Sequence, residues 1–346
     1  MNTSLPMVPT QEPLPELSAE EIAELHAEVR VLAAQRNATI LAHNYQVPEV
    51  QDVADYVGDS LGLSRKAAES GAETIAFCGV HFMAETASIL CPEKTVLIPD
   101  LEAGCSLAAS IDAEQLRDWK ARYPEGVVVM YVNTTAEVKA LTDYCCTSAN
   151  AVSVVRHIYE TRGEDTEILF GPDMWLGAYV EKEIGRPMHV WDGECHVHAS
   201  IRPSDIDATR AAHPGADFLI HPECGCTTSI MEYVAAGDVS SEGVHMLSTG
   251  GMLRYAGEAE QDAASHPERP HEAVVATEIG MLYPLQMAAP DVNFIAANPE
   301  ASCVYMKMIT LEKLRDALRD MKFEVRVPPD IAARARVPID RMVAIG

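Results

Sequence analysis

Residues 95–105 read TVLIPDLEAGC: an apolar β-type run, a turn carrying Pro, Asp and Gly, and then a thiol. The pattern returns as HVWDGEC at 189–195 and as VNFIAANPEASC at 292–303. Working outward, further short apolar runs lie at 39–43, 74–77, 127–132, 167–170, 217–220, 244–247 and 274–277, besides those at 95–98, 189–191 and 293–296. Helical stretches separate them. Such alternation builds parallel sheets from right-handed βαβ units and makes the chain α/β. The thiols of Cys105, Cys195 and Cys303 fall roughly a third of the chain apart. They suggest three units, each pointing one ligand at a common centre. The expected boundaries are 18–105, 106–193 and 194–305, with 306–346 returning to complete the first unit and 1–17 a disordered tail. The first helix opens at Ser18, which makes a capping box with Glu21 ahead of Ile22, Leu25, Val29 and Leu32.

The 346 residues, 48% of them hydrophobic, suffice for two or three domains with cores. A net charge of -26 argues against a nucleic-acid or anionic-membrane partner. No apolar run approaches the ~20 residues needed to span a bilayer. The N-terminal stretch lacks a basic region ahead of an apolar core, so no signal peptide is read there. A cytoplasmic enzyme is the expected class. Nine cysteines without an export signal favour reactive or metal-bound thiols over structural disulfides.

Polar, ionisable and small residues collect just past nearly every strand, where open parallel sheets bind ligands. His43 and Tyr45 end the first run on one side and form a plausible acid/base pair. His221 and Glu223 repeat the arrangement, an imidazole beside a carboxylate. Tyr131 and Asn133 offer hydrogen bonds to a small polar substrate. Ser60, Ser148 and Thr249 are small hydroxyls near helix starts, places that offer backbone amides and a dipole to phosphate or carboxylate, but each alone reads as a plain N-cap. Three thiolates can hold a soft metal and leave a coordination position open. Cys224 and Cys226 with His221 offer a zinc reading of poor spacing. His196 and His198 could add ligands, but ordinary loop histidines are the favoured reading. Cys78 and Cys91 read as buried and inert. Residues 257–271 lack an apolar period and read as an exposed loop.

HNYQ, GDSL, GCSLA, YVNT, CTSAN, G-x-C-x-V-H, HPEC, STGG, TEIG and C-x-x-M-K, in that order, resemble the quinolinate synthase (quinolinate synthetase A) family of bacterial NAD biosynthesis. The resemblance runs from about residue 39 to 310. It implies three Rossmann-like domains in pseudo-threefold array around a central active site. It implies a [4Fe-4S] cluster held by Cys105, Cys195 and Cys303, with one iron free to act as a Lewis acid. The implied reaction condenses iminoaspartate with dihydroxyacetone phosphate to quinolinate, phosphate and water. By motif position, His43, Tyr45, His221 and Glu223 would be acid/base and shaping groups. Substrate would be held by His43, Ser60, Tyr131, Val132, Asn133, Ser148, His221, Pro222, Glu223 and Thr249. A functional link to the enzyme that makes iminoaspartate follows; the oligomeric state stays open, a homodimer among the options. Some members carry two further cysteines where this chain has Ala297 and Glu300, so their redox control is not carried over. The residues also admit an iron–sulfur hydro-lyase acting on a hydroxy acid, or a zinc-stabilised small-molecule sensor using Cys224, Cys226 and His221.

Overall fold

The strand runs pair as three separate sheets. The computed structural model describes residues 17–236, 243–267 and 271–345. Its strands are β1 (Ala38–His43), β2 (Tyr56–Gly58), β3 (Thr74–Cys78), β4 (Thr95–Leu97), β5 (Val127–Tyr131), β6 (Tyr144–Cys146), β7 (Ile168–Gly171), β8 (His189–Val190), β9 (Asp217–Ile220), β10 (Val244–Met246), β11 (Glu272–Ala276) and β12 (Asn293–Ala296). The sheet orders are β2-β1-β3-β4, β6-β5-β7-β8 and β10-β9-β11-β12, the same arrangement three times. Every pairing among these strands is parallel; Leu41, for example, sits opposite Tyr56 on one side and Phe77 on the other. The interior strands β3, β5 and β7 are buried along their whole length, as sheets covered by helices on both faces require. Ile40, Leu41, Phe77 and Phe170 anchor this core, each worth roughly 1.5–3 kcal/mol on burial.

Ten of the twelve strands lie where alternation predicts them. β2 and β6 escape detection because they are three-residue edge strands, too short to show a period. Each follows a helix of one turn or so, Pro48–Val53 or Ala136–Lys139. A carboxylate then clips the returning chain to the first strand: Asp55 accepts the Ile40 amide at 2.8 Å and Asp143 the Val128 amide at 2.9 Å.

The Ser18 capping box is present, and the helix Ala19–Gln35 follows it. The helix Leu311–Asp320 packs on that first helix, and Val325 donates to Val96 O at 2.8 Å, so this part of the C-terminal segment joins the first sheet. The last helix, Pro329–Ile345, does not. It lies across the first two units, with Arg336 donating to Leu90 O at 3.0 Å and Asn150 donating to Met342 O at 2.9 Å. The loop expected over 257–271 is also revised, because the helix Thr249–Ser265 runs through its first half. Its buried side carries Ala256 and Ala263, residues too small to register as an apolar period. Residues 268–270 of that stretch and 1–16 of the expected tail lie outside the described residues. Among the described residues, no helix is long and apolar enough to cross a membrane.

Candidate active site

In each sheet the chain steps from its first strand to one side and then to the other. Strand order therefore reverses at β1, β5 and β9, and a crevice forms outside their carboxyl ends. The residues emerging there are His43 and Tyr45, Tyr131 and Asn133, and His221 and Glu223, and all six line one cavity. The second strands β2, β6 and β10 lead to Ser60, Ser148 and Thr249, which line it too. The fourth strands β4, β8 and β12 lead to Cys105, Cys195 and Cys303, which complete the wall. Val132 and Pro222 are buried but add no side chain to the lining.

The hydroxyls are not the helix caps. Asp59 and Ser248 do that work, accepting the amides of Gly62 at 2.7 Å and Gly251 at 3.2 Å. Asn150 takes the N-cap position of the helix Ala151–Arg162. Ser60 and Thr249 are instead the first residues of their helices, where unpaired amides and the helix dipole favour an anion.

Two histidines share one local device. The Tyr45 amide donates to His43 Nδ1 at 3.2 Å, and the Glu223 amide donates to His221 Nδ1 at 3.4 Å. Nδ1 is thus the bare nitrogen of each ring, and Nε2 carries the proton. His221 Nε2 then donates to Ser148 Oγ at 3.1 Å. Burial, with Lys307 and His198 nearby, pushes His43 down to about 3. Burial, with His198 and His43 nearby, holds His221 well below the ordinary imidazole range. Both rings are neutral donors, not cations.

His198, set aside on sequence grounds, belongs to the site. It lies on a short helix, His196–Ala199, rather than on a strand. Its Nε2 is 2.9 Å from Thr277 Oγ1 and 3.3 Å from the Tyr45 hydroxyl, which in turn is 2.6 Å from Thr277 Oγ1. Its Nδ1 stands 3.3 Å from Glu223 Oε2, and His221 Nδ1 stands 3.4 Å from the same oxygen. Burial pushes His198 down to about 3. Glu223 moves the other way: burial raises its carboxyl to about 7, against a hydrogen bond from Tyr131. The ligand atoms of His198, His221 and Glu223 lie within 4.8 Å of one another, so they could also hold a cation. His196, half-buried, stands 2.6 Å from Ser106 Oγ through Nδ1.

Cys105, Cys195 and Cys303 are free thiols. Burial pushes Cys105 up to about 12 and Cys303 up to about 11, with repulsion between the sulfurs adding to the rise at Cys105. Cys195 is also raised, by burial, by Glu223 and by both other thiols. Three sulfurs from three loops on one cavity suit a soft metal or cluster, whose binding would displace their protons. Cys78, Cys91, Cys145 and Cys146 are buried elsewhere. Against the expectation of no structural disulfides, Cys224 and Cys226 are joined. That removes the zinc reading, and His221 faces Ser148 instead.

Glu278 and Tyr305 also line the cavity, and neither stood out in the sequence. The TEIG stretch did register as a motif, which was the available signal for Glu278.

A family model described as "Quinolinate synthetase A protein" matches residues 27–344. The chain is 56% identical to the quinolinate synthase of Mycobacterium tuberculosis (strain ATCC 25177 / H37Ra) over 321 residues, covering 92% of this chain and 88% of that one. It is 56% identical to that of Mycolicibacterium paratuberculosis over 325 residues, 94% and 89% of the two chains. It is 55% identical to that of Mycobacterium sp. (strain KMS) over 324 residues, 93% and 92%. Three like sheets feeding one cavity, and likeness along almost the whole length, lead to one conclusion: the chain belongs to the quinolinate synthetase A family.

Proposed function

We propose that this chain condenses iminoaspartate with dihydroxyacetone phosphate, releasing phosphate and water, to form quinolinate for NAD biosynthesis. The observation that carries the reading is the meeting of three free thiols with Glu223 and neutral imidazoles on one cavity. A [4Fe-4S] cluster held by Cys105, Cys195 and Cys303 would supply a Lewis acid at its open iron.

The chain's own residues do the rest. No Lys or Arg lines the cavity among the described residues, so its anionic substrates rest on neutral donors. Ser60 and Thr249 at helix N-termini, with Ser148 and Asn133, bind carboxylate and phosphate oxygens. The Nε2 proton of His43 orients a carbonyl or carboxylate oxygen without adding charge, and that of His221 holds the Ser148 oxygen so that its hydroxyl can donate to substrate. Glu223, with its carboxyl raised to about 7, can accept a proton from carbon as the C–C bond forms and return it to a departing hydroxyl. Tyr131 steadies the carboxylate form, and Tyr45 with Thr277 holds His198 beside it. The steps need no net electron transfer.

Imines hydrolyse readily in water, which supports a functional link to the enzyme that makes iminoaspartate and a common cytoplasmic location. The test is quinolinate formation from the two substrates after anaerobic reconstitution with iron and sulfide, against Cys195→Ala. Turnover with a brown protein, lost in the variant, is expected. A colourless, inactive protein after reconstitution overturns the reading.

A further inference from the structure

Glu278 and Lys307 form an ion pair at 3.0 Å, and both are buried. The carboxylate is shared among backbone groups of its own unit. Glu278 Oε1 accepts the Cys303 amide at 2.9 Å, and Oε2 accepts the Gly280 amide at 2.7 Å. The ammonium reaches across to the first unit, where Lys307 Nζ donates to the Tyr45 carbonyl. One pair therefore ties the loop of the third thiol to the loop that carries Tyr45. Space around it is fully taken. A Cβ on Gly280 would stand 2.7 Å from Glu278 Oε2, 2.8 Å from Lys307 Nζ and 2.8 Å from Tyr45 O.

The second unit has a counterpart. β11 ends two residues before Glu278, and β7 ends two residues before Asp173. Asp173 is a buried carboxylate that caps the helix Met174–Ile184 and lies close enough to the Cys195 amide for that group to favour its charged form. In the first unit the same place, two residues past β3, is Val80. There no carboxylate stands; Ala103 O accepts the His81 amide at 2.7 Å, and the Cys105 loop is held further along by Asp100, which accepts the Glu102 amide at 2.9 Å and pairs with Lys313.

We propose that Glu278 and Lys307 are a positioning pair that fixes where the Cys303 thiol stands, by locking its loop against the Tyr45 loop of the first unit. The proposal rests on Cys303 being a cluster ligand for its meaning, but its first test does not need the cluster. In the apo-protein, alkylated anaerobically with iodoacetamide and followed by mass spectrometry, the rate at Cys303 is measured relative to Cys105 and Cys195. In Gly280→Ala, which keeps both charges, that ratio should rise about tenfold, the scale of losing one hydrogen bond to a charged group, and in Glu278→Gln and Lys307→Met it should rise likewise once rates are compared at full ionisation of each thiol. Gly280→Ala disturbs the pair by volume while leaving both charges in place, and it serves if Lys307→Met does not fold. Asp143→Ala, which removes a strand clip in the second unit, should lower the melting temperature and leave the ratio unchanged.

After reconstitution, the same three variants should lose iron to a chelator about tenfold faster than the parent chain, on the same scale. An unchanged ratio in all three folded variants overturns the proposal. So does a rise at all three thiols alike. A chain that takes up no iron yet shows the selective rise at Cys303 overturns the cluster reading and leaves the positioning role standing.

Discussion

Replacing Glu223 with Gln should make the fold more stable at mildly alkaline pH while removing most turnover. Glu223 is buried, and its carboxyl is raised from 4.5 to about 7. The fold therefore holds this proton more tightly than the unfolded chain does. Between pH 4.5 and about 7 the unfolded chain has released the proton and the fold keeps it, so stability falls as pH rises through this window and is level above it. At about 1.4 kcal/mol per pH unit, the fall amounts to ~3 kcal/mol. Gln has nearly the same shape and no charge, so it escapes that loss. The assay is thermal unfolding of apo-protein for both chains between about pH 5 and pH 8. The melting-point advantage of Glu223→Gln should grow by roughly 6 °C across the range, at about 2 °C per kcal/mol. In the reconstituted enzyme, turnover should drop roughly 10²–10⁴-fold, the usual contribution of a positioned acid/base group. Parallel melting curves would refute the raised carboxyl, and full turnover would remove Glu223 from proton transfer.

Thr277→Val deletes the hydroxyl between Tyr45 and His198, leaving only their direct 3.3 Å contact; a loss of about 1–2 kcal/mol in thermal stability and a fall in kcat should follow. Ser148→Ala strips buried His221 Nε2 of its acceptor, and steady-state kinetics should show KM rising about tenfold, with thermal stability falling by about 1–2 kcal/mol. His43 and His198, each pushed to about 3, should show no imidazole titration by NMR between about pH 5 and pH 8. Keeping them neutral makes stability fall as pH drops below 6.5 toward 3, a slope opposite to that of Glu223.

Much of this protein is legible in short stretches of its chain. Short apolar runs bounded by Gly, Pro and Asp mark ten strands, because a strand's pattern depends only on its own residues and the faces it buries. The His-x-Tyr, Tyr-x-Asn and His-x-Glu pairs at the ends of β1, β5 and β9 follow from the same alternation. The three thiols could be singled out by their repeated context. What local pattern could not supply is partnership over distance. Tyr45 meets His198 and Thr277 across 153 and 232 residues, and Lys307 reaches the Tyr45 carbonyl across 262. His198 read as an ordinary loop histidine because nothing in its own segment shows that Glu223 and Thr277 face it. The edge strands β2 and β6 were invisible because three residues hold no period, and the alanine stripe of the helix Thr249–Ser265 because methyl groups carry little hydropathy. Residue types and their spacing decided which groups stand at each strand end. Only the packing of three sheets decided that those ends meet, that burial neutralises the histidines and raises Glu223, and that one ion pair spans two of the units.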